Sequence, residues 1–269
     1  MTSPHLVVIA SVSWRLENLV KLMRSITEQT RRPEYLLVIL DGYSQLHEEE
    51  FDRTVTRAII FPGVTVMAVT NRPKRGPGDR WVRATRMLAS GDVPPDTIVS
   101  AIDDDFLIEP PYLKTSYDLV ANAPEPTAVG WLGETPDFIR WSEARKEDTE
   151  CISLGAGLLT CRLRDLAGIA EFPEADRYFK PPGDDEALVS YWLWKNGVKL
   201  VRPAGEAAAV SVDRLQHDSR ASFIGQGEYR HRVLRTNLKE NHGWSTYLLP
   251  AEFAPPRGGI DKGKWAWRR

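Results

Sequence analysis

The sequence predicts an α/β protein: a mostly parallel central sheet with helices on both faces. Three observations predict it. Short apolar runs of strand length recur, among them Leu6 to Val12, Tyr35 to Leu40 and Ile98 to Ile102, and continuous apolar runs suit strands covered on both sides. Segments of helical periodicity alternate with these runs, as in β–α units. The runs end on Ser11, Asp41 and Asp103 to Asp105, and ligands gather at the carboxyl ends of parallel strands.

In chain order, Leu6 to Val12 is the first strand. Arg15 to Thr30 is the first helix, with Leu16, Leu19, Val20, Leu22, Met23 and Ile26 at helical spacing and Pro33 as its stop. Tyr35 to Leu40 is the second strand and ends in Asp41-Gly42. Glu48 to Ile60 reads as a helix and Val64 to Val69 as a strand. Arg72 to Gly78 is a basic, Gly/Pro-rich loop opening a helix from Asp79 to Ala89. Six positive residues and one negative lie between Arg72 and Arg86, so this helix start suits a phosphate. A solvated basic face is the alternative. The acidic strand follows, then a helix from Pro111 to Ala121 and a strand from Thr127 to Leu132.

Gly133 to Glu150 is polar and irregular. Cys151 to Cys161 is strand-like, and its Gly155 and Gly157 mark either packing or a close backbone approach to a ligand. Pro181-Pro182-Gly183 forms a turn, and Asp184, Asp185 and Glu186 open a helix to Lys195. Carboxylates there can be caps and dipole partners. Val198 to Val201 and Ala207 to Val212 are short strands, Ile224 to Asn241 is helical, and Pro255 to Arg269 is a basic, aromatic tail.

Composition narrows the function. Lys+Arg 35 against Asp+Glu 37 argues against a dedicated nucleic-acid binder, although a local basic patch remains open. No apolar run is long enough to cross a membrane, and the start lacks a basic leader. Cys151 and Cys161 do not make a zinc site. They read as reduced, buried thiols of a cytoplasmic protein.

The most informative stretch is Asp103-Asp104-Asp105, set between apolar residues. Three adjacent carboxylates repel, and a divalent cation with oxygen ligands would offset that. Strand alternation would send Asp103 and Asp105 to one side and Asp104 to the other. The plain alternative is an acidic turn. His217, just after a strand, could fold back as a further ligand.

Taken together, IDDDFLIEP, GDDEALVSYWLWKNGVKL, Asp41-Gly42 and the Gly-Pro loop resemble the GT-A-fold, family 2-like nucleotide-sugar glycosyltransferases. A closer likeness is to a bacterial and phage subgroup with a Gly-Pro loop before the acidic strand. That subgroup has Gly-Pro-Ala-Thr-Lys where this chain has Gly76-Pro77-Gly78-Asp79-Arg80, so the role of the Lys passes to Arg80. The likeness runs from Leu6 to Val212. It implies a GT-A domain over residues 1–212, with a donor half to about residue 110 and an acceptor half beyond it. Residues 213–269 would add a helix and a basic, Trp-rich tail on the same domain.

The resemblance also implies an activity: metal-dependent, inverting transfer of a sugar from a nucleotide diphosphate-sugar, foremost a UDP-sugar, to an acceptor hydroxyl. The acceptor would be a glycan or a hydroxymethylated DNA base. Ser11, Arg15, Asp41, Gly76, Arg80, Asp103 and Asp104 would bind the donor. Asp105, Asp103 and His217 would hold Mn2+ or Mg2+. Asp185 would be the general base, with Asp184, where the family has Glu, as the second candidate. The competing readings are a nucleotidyltransferase and a non-catalytic sugar-nucleotide or polysaccharide-binding module.

Overall fold

The structure is a computed structural model that describes residues 2–56, 59, 61–134, 148–180, 183–204, 212–214 and 230–244. His217, Pro181-Pro182, most of the Ala207 to Val212 strand and the C-terminal tail lie outside the described residues.

Four parallel strands form the core of the sheet: β1 (His5–Val12), β2 (Tyr35–Asp41), β3 (Thr65–Asn71) and β4 (Ile98–Asp103). Alternate residues feed two separate cores. Leu6, Val8, Leu37, Ile39, Val99 and Ala101 face one layer, and Val7, Ile9, Leu36, Val38, Ile98 and Ile102 face the other. This explains the continuous apolar runs, since each buried aliphatic side chain contributes roughly 1.5–3 kcal/mol. Helix α1 (Leu16–Thr27) covers the second layer with Leu16, Leu19, Leu22, Met23 and Ile26.

The helix expected from Glu48 to Ile60 starts earlier, as α2 (Gln45–Phe51), because the Ser44 hydroxyl accepts from the His47 amide at its start. A wider π turn, Asp52–Thr56, continues it. Helix α3 (Asp79–Ser90) lies on the first layer and buries Arg80, Trp81, Ala84 and Thr85. After β4 come β5 (Phe106–Ile108), helix α4 (Tyr112–Ala121), β6 (Thr127–Gly130) and the short β7 (Gly133–Glu134).

The strand expected from Cys151 to Cys161 is two strands. After β8 (Thr149–Glu150), β9 (Ser153–Leu154) pairs with β7, and β10 (Leu158–Arg162) enters the main sheet antiparallel between β4 and β6. The break falls on the glycines. The Gly155 amide bonds the Leu132 carbonyl at 2.7 Å, which turns the chain out of one pairing before the next begins. Cys151 and Cys161 are buried thiols outside any disulfide, as expected.

Helix α5 (Ala175–Phe179), helix α6 (Asp185–Lys195), β11 (Lys199–Arg202) and β12 (Val212–Arg214) follow. The sheet order is β3-β2-β1-β4-β10-β6-β11-β8, and β12 pairs with β5 in a separate ribbon. The last described helix, α7 (Thr236–His242), joins the domain through backbone carbonyls. The Tyr178 hydroxyl donates to Leu234 O and the Tyr191 hydroxyl to His242 O, each at 3.0 Å. No helix among the described residues is long and apolar enough to cross a membrane.

Candidate active site

Strand register gathers the polar strand ends. Val12 stands opposite Asp41, Asp41 opposite Asn71, and Ala10 opposite Asp103. These positions form one edge at the carboxyl ends of the parallel strands.

The acidic triplet divides between two arginines. Asp103 is the last residue of β4, and its carboxylate accepts from Arg80 Nη1 at 2.5 Å. Asp104 and Asp105 lie in a tight turn beyond the strand. Asp104 accepts from Arg15 Nη1 at 2.7 Å, and the same nitrogen stands 3.6 Å from Asp105. Alternation stops where the strand stops, so the expected separation of Asp104 from Asp105 is not kept: Arg15 reaches both, while Asp103 pairs with Arg80.

Burial pushes the Asp104 carboxyl up to about 6, against the opposing pull of Arg15. Ser11 also lowers it by hydrogen bonding, and Asp104 Oδ2 is buried with no partner within hydrogen-bond distance among the described residues. Burial also works against the charge of Arg15, but Asp104 and Asp105 more than offset it and raise its pKa.

Arg80 joins this cluster to α6. It is 1% exposed. Its Nη2 lies 3.3 Å from Asp185 Oδ2, and Trp81 Nε1 reaches the same oxygen at 3.3 Å. Burial opposes the charge of Arg80, while Asp103 and Asp185 together raise its pKa. The side chain of Asp103 is 39% exposed and that of Asp185 14%, so both carboxylates keep access to a ligand.

Gly157 explains how Asp103 fits. A Cβ on Gly157 would collide with the Asp103 carboxylate, whereas a Cβ on Gly155 would meet Leu132 Cβ at 2.7 Å. The two glycines thus serve different ends, one making room for the site and the other for packing.

Other expected site residues have different surroundings. Asp41 accepts from the backbone amides of Arg75 at 2.7 Å and Gly76 at 2.9 Å, and from the side chain of Asn71 at 3.2 Å. Its carboxylate faces the basic loop and holds it. Gly76, expected among the donor-binding residues, has its amide engaged with Asp41. At the start of α3, Asp79 pairs with Arg83, and a Cβ on Gly78 would meet Phe179 Cα at 2.6 Å.

Ser11 is buried 3.3 Å from the Tyr43 hydroxyl. Trp14, in the turn that follows β1, is 45% exposed, with the Lys74 ammonium 4.9 Å from its ring centroid. Asp184, the second candidate base, is fixed at both oxygens. Oδ1 caps the Ala187 amide at 3.1 Å, and Oδ2 accepts from Arg235 Nε at 2.9 Å. That geometry makes it a helix cap.

Sequence reasoning marked Gly157 as a packing or close-approach position but gave no site role to Trp81 or Arg235. Trp81 had a signal, since it adjoins Arg80. Arg235 had none, because its partners lie 51 and 49 residues away. Among the described residues no three His, Cys, Asp or Glu side chains converge as a complete metal cage. Asp103, Asp104 and Asp105 are oxygen donors of the kind a divalent ion such as Mg2+ or Mn2+ prefers, and each of them faces an arginine.

The chain matches no protein-family model. A glucosyl-dolichyl phosphate glucuronosyltransferase of Haloferax volcanii is 31% identical over 130 residues, covering 46% of this chain and 38% of that protein. The chain thus spans well under half of that relative. Among solved structures, the mannosyltransferase PcManGT from Pyrobaculum calidifontis, in complex with GDP-Man and Mn2+, superposes with a TM-score of 0.51 at 14% identity, over 76% of this chain and 55% of the other. S. aureus TarS 1-349 in complex with UDP-GlcNAc is a looser likeness, with a TM-score of 0.49 at 12% identity, over 93% and 77%. The fold is GT-A-like, with a large central sheet flanked by helices.

Proposed function

We propose that the chain is a metal-dependent glycosyltransferase that moves a sugar from a nucleoside diphosphate-sugar to an acceptor hydroxyl with inversion. The observation that carries this reading is Arg80, whose one buried guanidinium reaches both Asp103 and Asp185. An acidic group suited to the donor and another suited to the acceptor thereby share one site. The name of the Haloferax relative and the GT-A-like fold support the same chemistry.

In this reading Asp103 and Asp105 hold Mn2+ or Mg2+, and His217 is a further candidate ligand. When bound, the ion supplies Lewis-acid neutralisation of the leaving diphosphate. Arg15 and Arg80 add fixed positive charge beside the triplet. Asp185, oriented by Arg80 and Trp81, takes the proton of the acceptor hydroxyl. The acceptor oxygen bonds to the anomeric carbon, and the bond from that carbon to the diphosphate oxygen breaks. The nucleoside diphosphate leaves with the electron pair.

A UDP-sugar is the first donor to test. The acceptor named in the relative, glucosyl-dolichyl phosphate, makes a glycan or lipid-linked sugar the first acceptor class, ahead of a hydroxymethylated DNA base. The test is nucleoside diphosphate release from UDP-glucose, UDP-GlcNAc, UDP-glucuronate and GDP-mannose, with Mn2+, with Mg2+ and with a chelator. Release that needs the cation and is lost in Asp105→Asn supports the reading. Donor binding without release would indicate a binding module, and release indifferent to chelation would remove the metal.

A further inference from the structure

We infer that Arg235, brought from the C-terminal helix segment, is a positioning residue for Asp185. This rests on the reading of Asp185 as the general base. The first turn of α6 carries three consecutive carboxylates, Asp184, Asp185 and Glu186. Like charges this close repel, and each competes for any nearby cation.

Two arginines divide them. Arg235, 2% exposed, donates from Nε to Asp184 Oδ2 at 2.9 Å and from Nη2 to Glu186 Oε1 at 2.8 Å. Arg80 takes Asp185. The planar fork of Arg235 can span both neighbours at once, which a lysine ammonium cannot do with the same geometry. The two flanking carboxylates are thus held by one cation, and the middle one is turned toward Arg80 and Trp81.

The arrangement is anchored apart from Arg235 itself. Leu234, Leu238 and Trp244 are fully buried around it, and Tyr178 bonds the Leu234 carbonyl. The last described helical segment is therefore anchored beside the start of α6. Without Arg235, Asp184 and Glu186 would compete for Arg80, and Asp185 would lose its fixed direction. Asp103 would feel the same competition through the shared guanidinium.

The experiment measures nucleoside diphosphate release by wild type, R235K, R235M and the double variant R235M/D184N, using the sugar nucleotide that wild type turns over fastest. R235M alone removes the Arg235 charge from buried Asp184 and can fail to fold. The double variant removes both charges and keeps an Asn cap on α6, so it retains the helix. Circular dichroism and thermal melting establish that it is folded. In the double variant Glu186 still loses Arg235 and competes for Arg80, so the expected result is a kcat lower by about tenfold or more with donor KM within about threefold of wild type, the signature of a misplaced base, and a loss at least as large in R235M where it folds. R235K should recover part of the loss.

A folded double variant with wild-type kcat, or a KM that rises while kcat holds, would overturn the inference. Asp185→Asn run alongside separates the two levels. If that variant is active, the base assignment fails. If it is inactive while the folded Arg235 variants turn over normally, only the role of Arg235 fails.

Discussion

His5 shows how completely this sheet is closed to water. It is 0% exposed, its Nε2 is 2.8 Å from Ser100 Oγ, and that hydroxyl bonds Thr160 Oγ1 at 2.7 Å. Burial, reinforced by the charge of Arg31, lowers its pKa to about 3. Between pH 6.5 and about 3 the unfolded chain therefore binds a proton that the folded chain does not. Stability is lost as pH falls through this window. Urea melts of wild type and His5→Phe at pH 7, 5.5 and 4.5 would test this. Relative to the variant, wild type should lose about 1.4 kcal/mol per pH unit below 6.5. A constant difference between the two proteins would refute the account of His5. Arg80 is the opposite residue-scale case: its charge is buried, but two carboxylates maintain it.

At the scale of elements, the loop between β9 and β10 makes the sharpest prediction. Gly157→Ala places a methyl group where the Asp103 carboxylate lies, so it should cut donor turnover by about tenfold or more while the protein still melts cooperatively. Gly155→Ala meets Leu132 instead and should cost about 1–3 kcal/mol of stability, with turnover per folded molecule kept. Parallel activity and melting measurements on the two variants check both. Equal loss of activity in the two would contradict the division of roles.

These elements also show what the sequence made legible. The parallel strands could be read because each is buried on both faces and so appears as a plain apolar run. The start of α6 could be read from its acidic turn. The antiparallel entry of β10 could not, because a glycine break within an apolar stretch looks the same as one bent strand. The anchoring of the basic loop by Asp41 was hidden for a similar reason. Its bonds go to backbone amides, which leave no trace in residue identity.

For the whole molecule, the sheet brings together residues far apart in the chain. Arg80 lies 23 residues from Asp103 and 105 from Asp185, and no local pattern could reveal that one guanidinium serves both. The triplet and the acidic helix start were each visible alone, while their convergence is a property of the fold. The C-terminal helix belongs to the same unit, tied to α6 by Arg235 and to the aromatic layer of Phe172, Tyr191 and Trp244.

The central claim is that Asp185 acts as a base on the acceptor while the triplet holds the donor. Its most direct test is Asp185→Asn, measured by calorimetric titration of the donor with Mn2+ and by single-turnover transfer. The account predicts donor affinity within about threefold of wild type and transfer slowed by about a hundredfold or more. Near-normal transfer by that variant would contradict it.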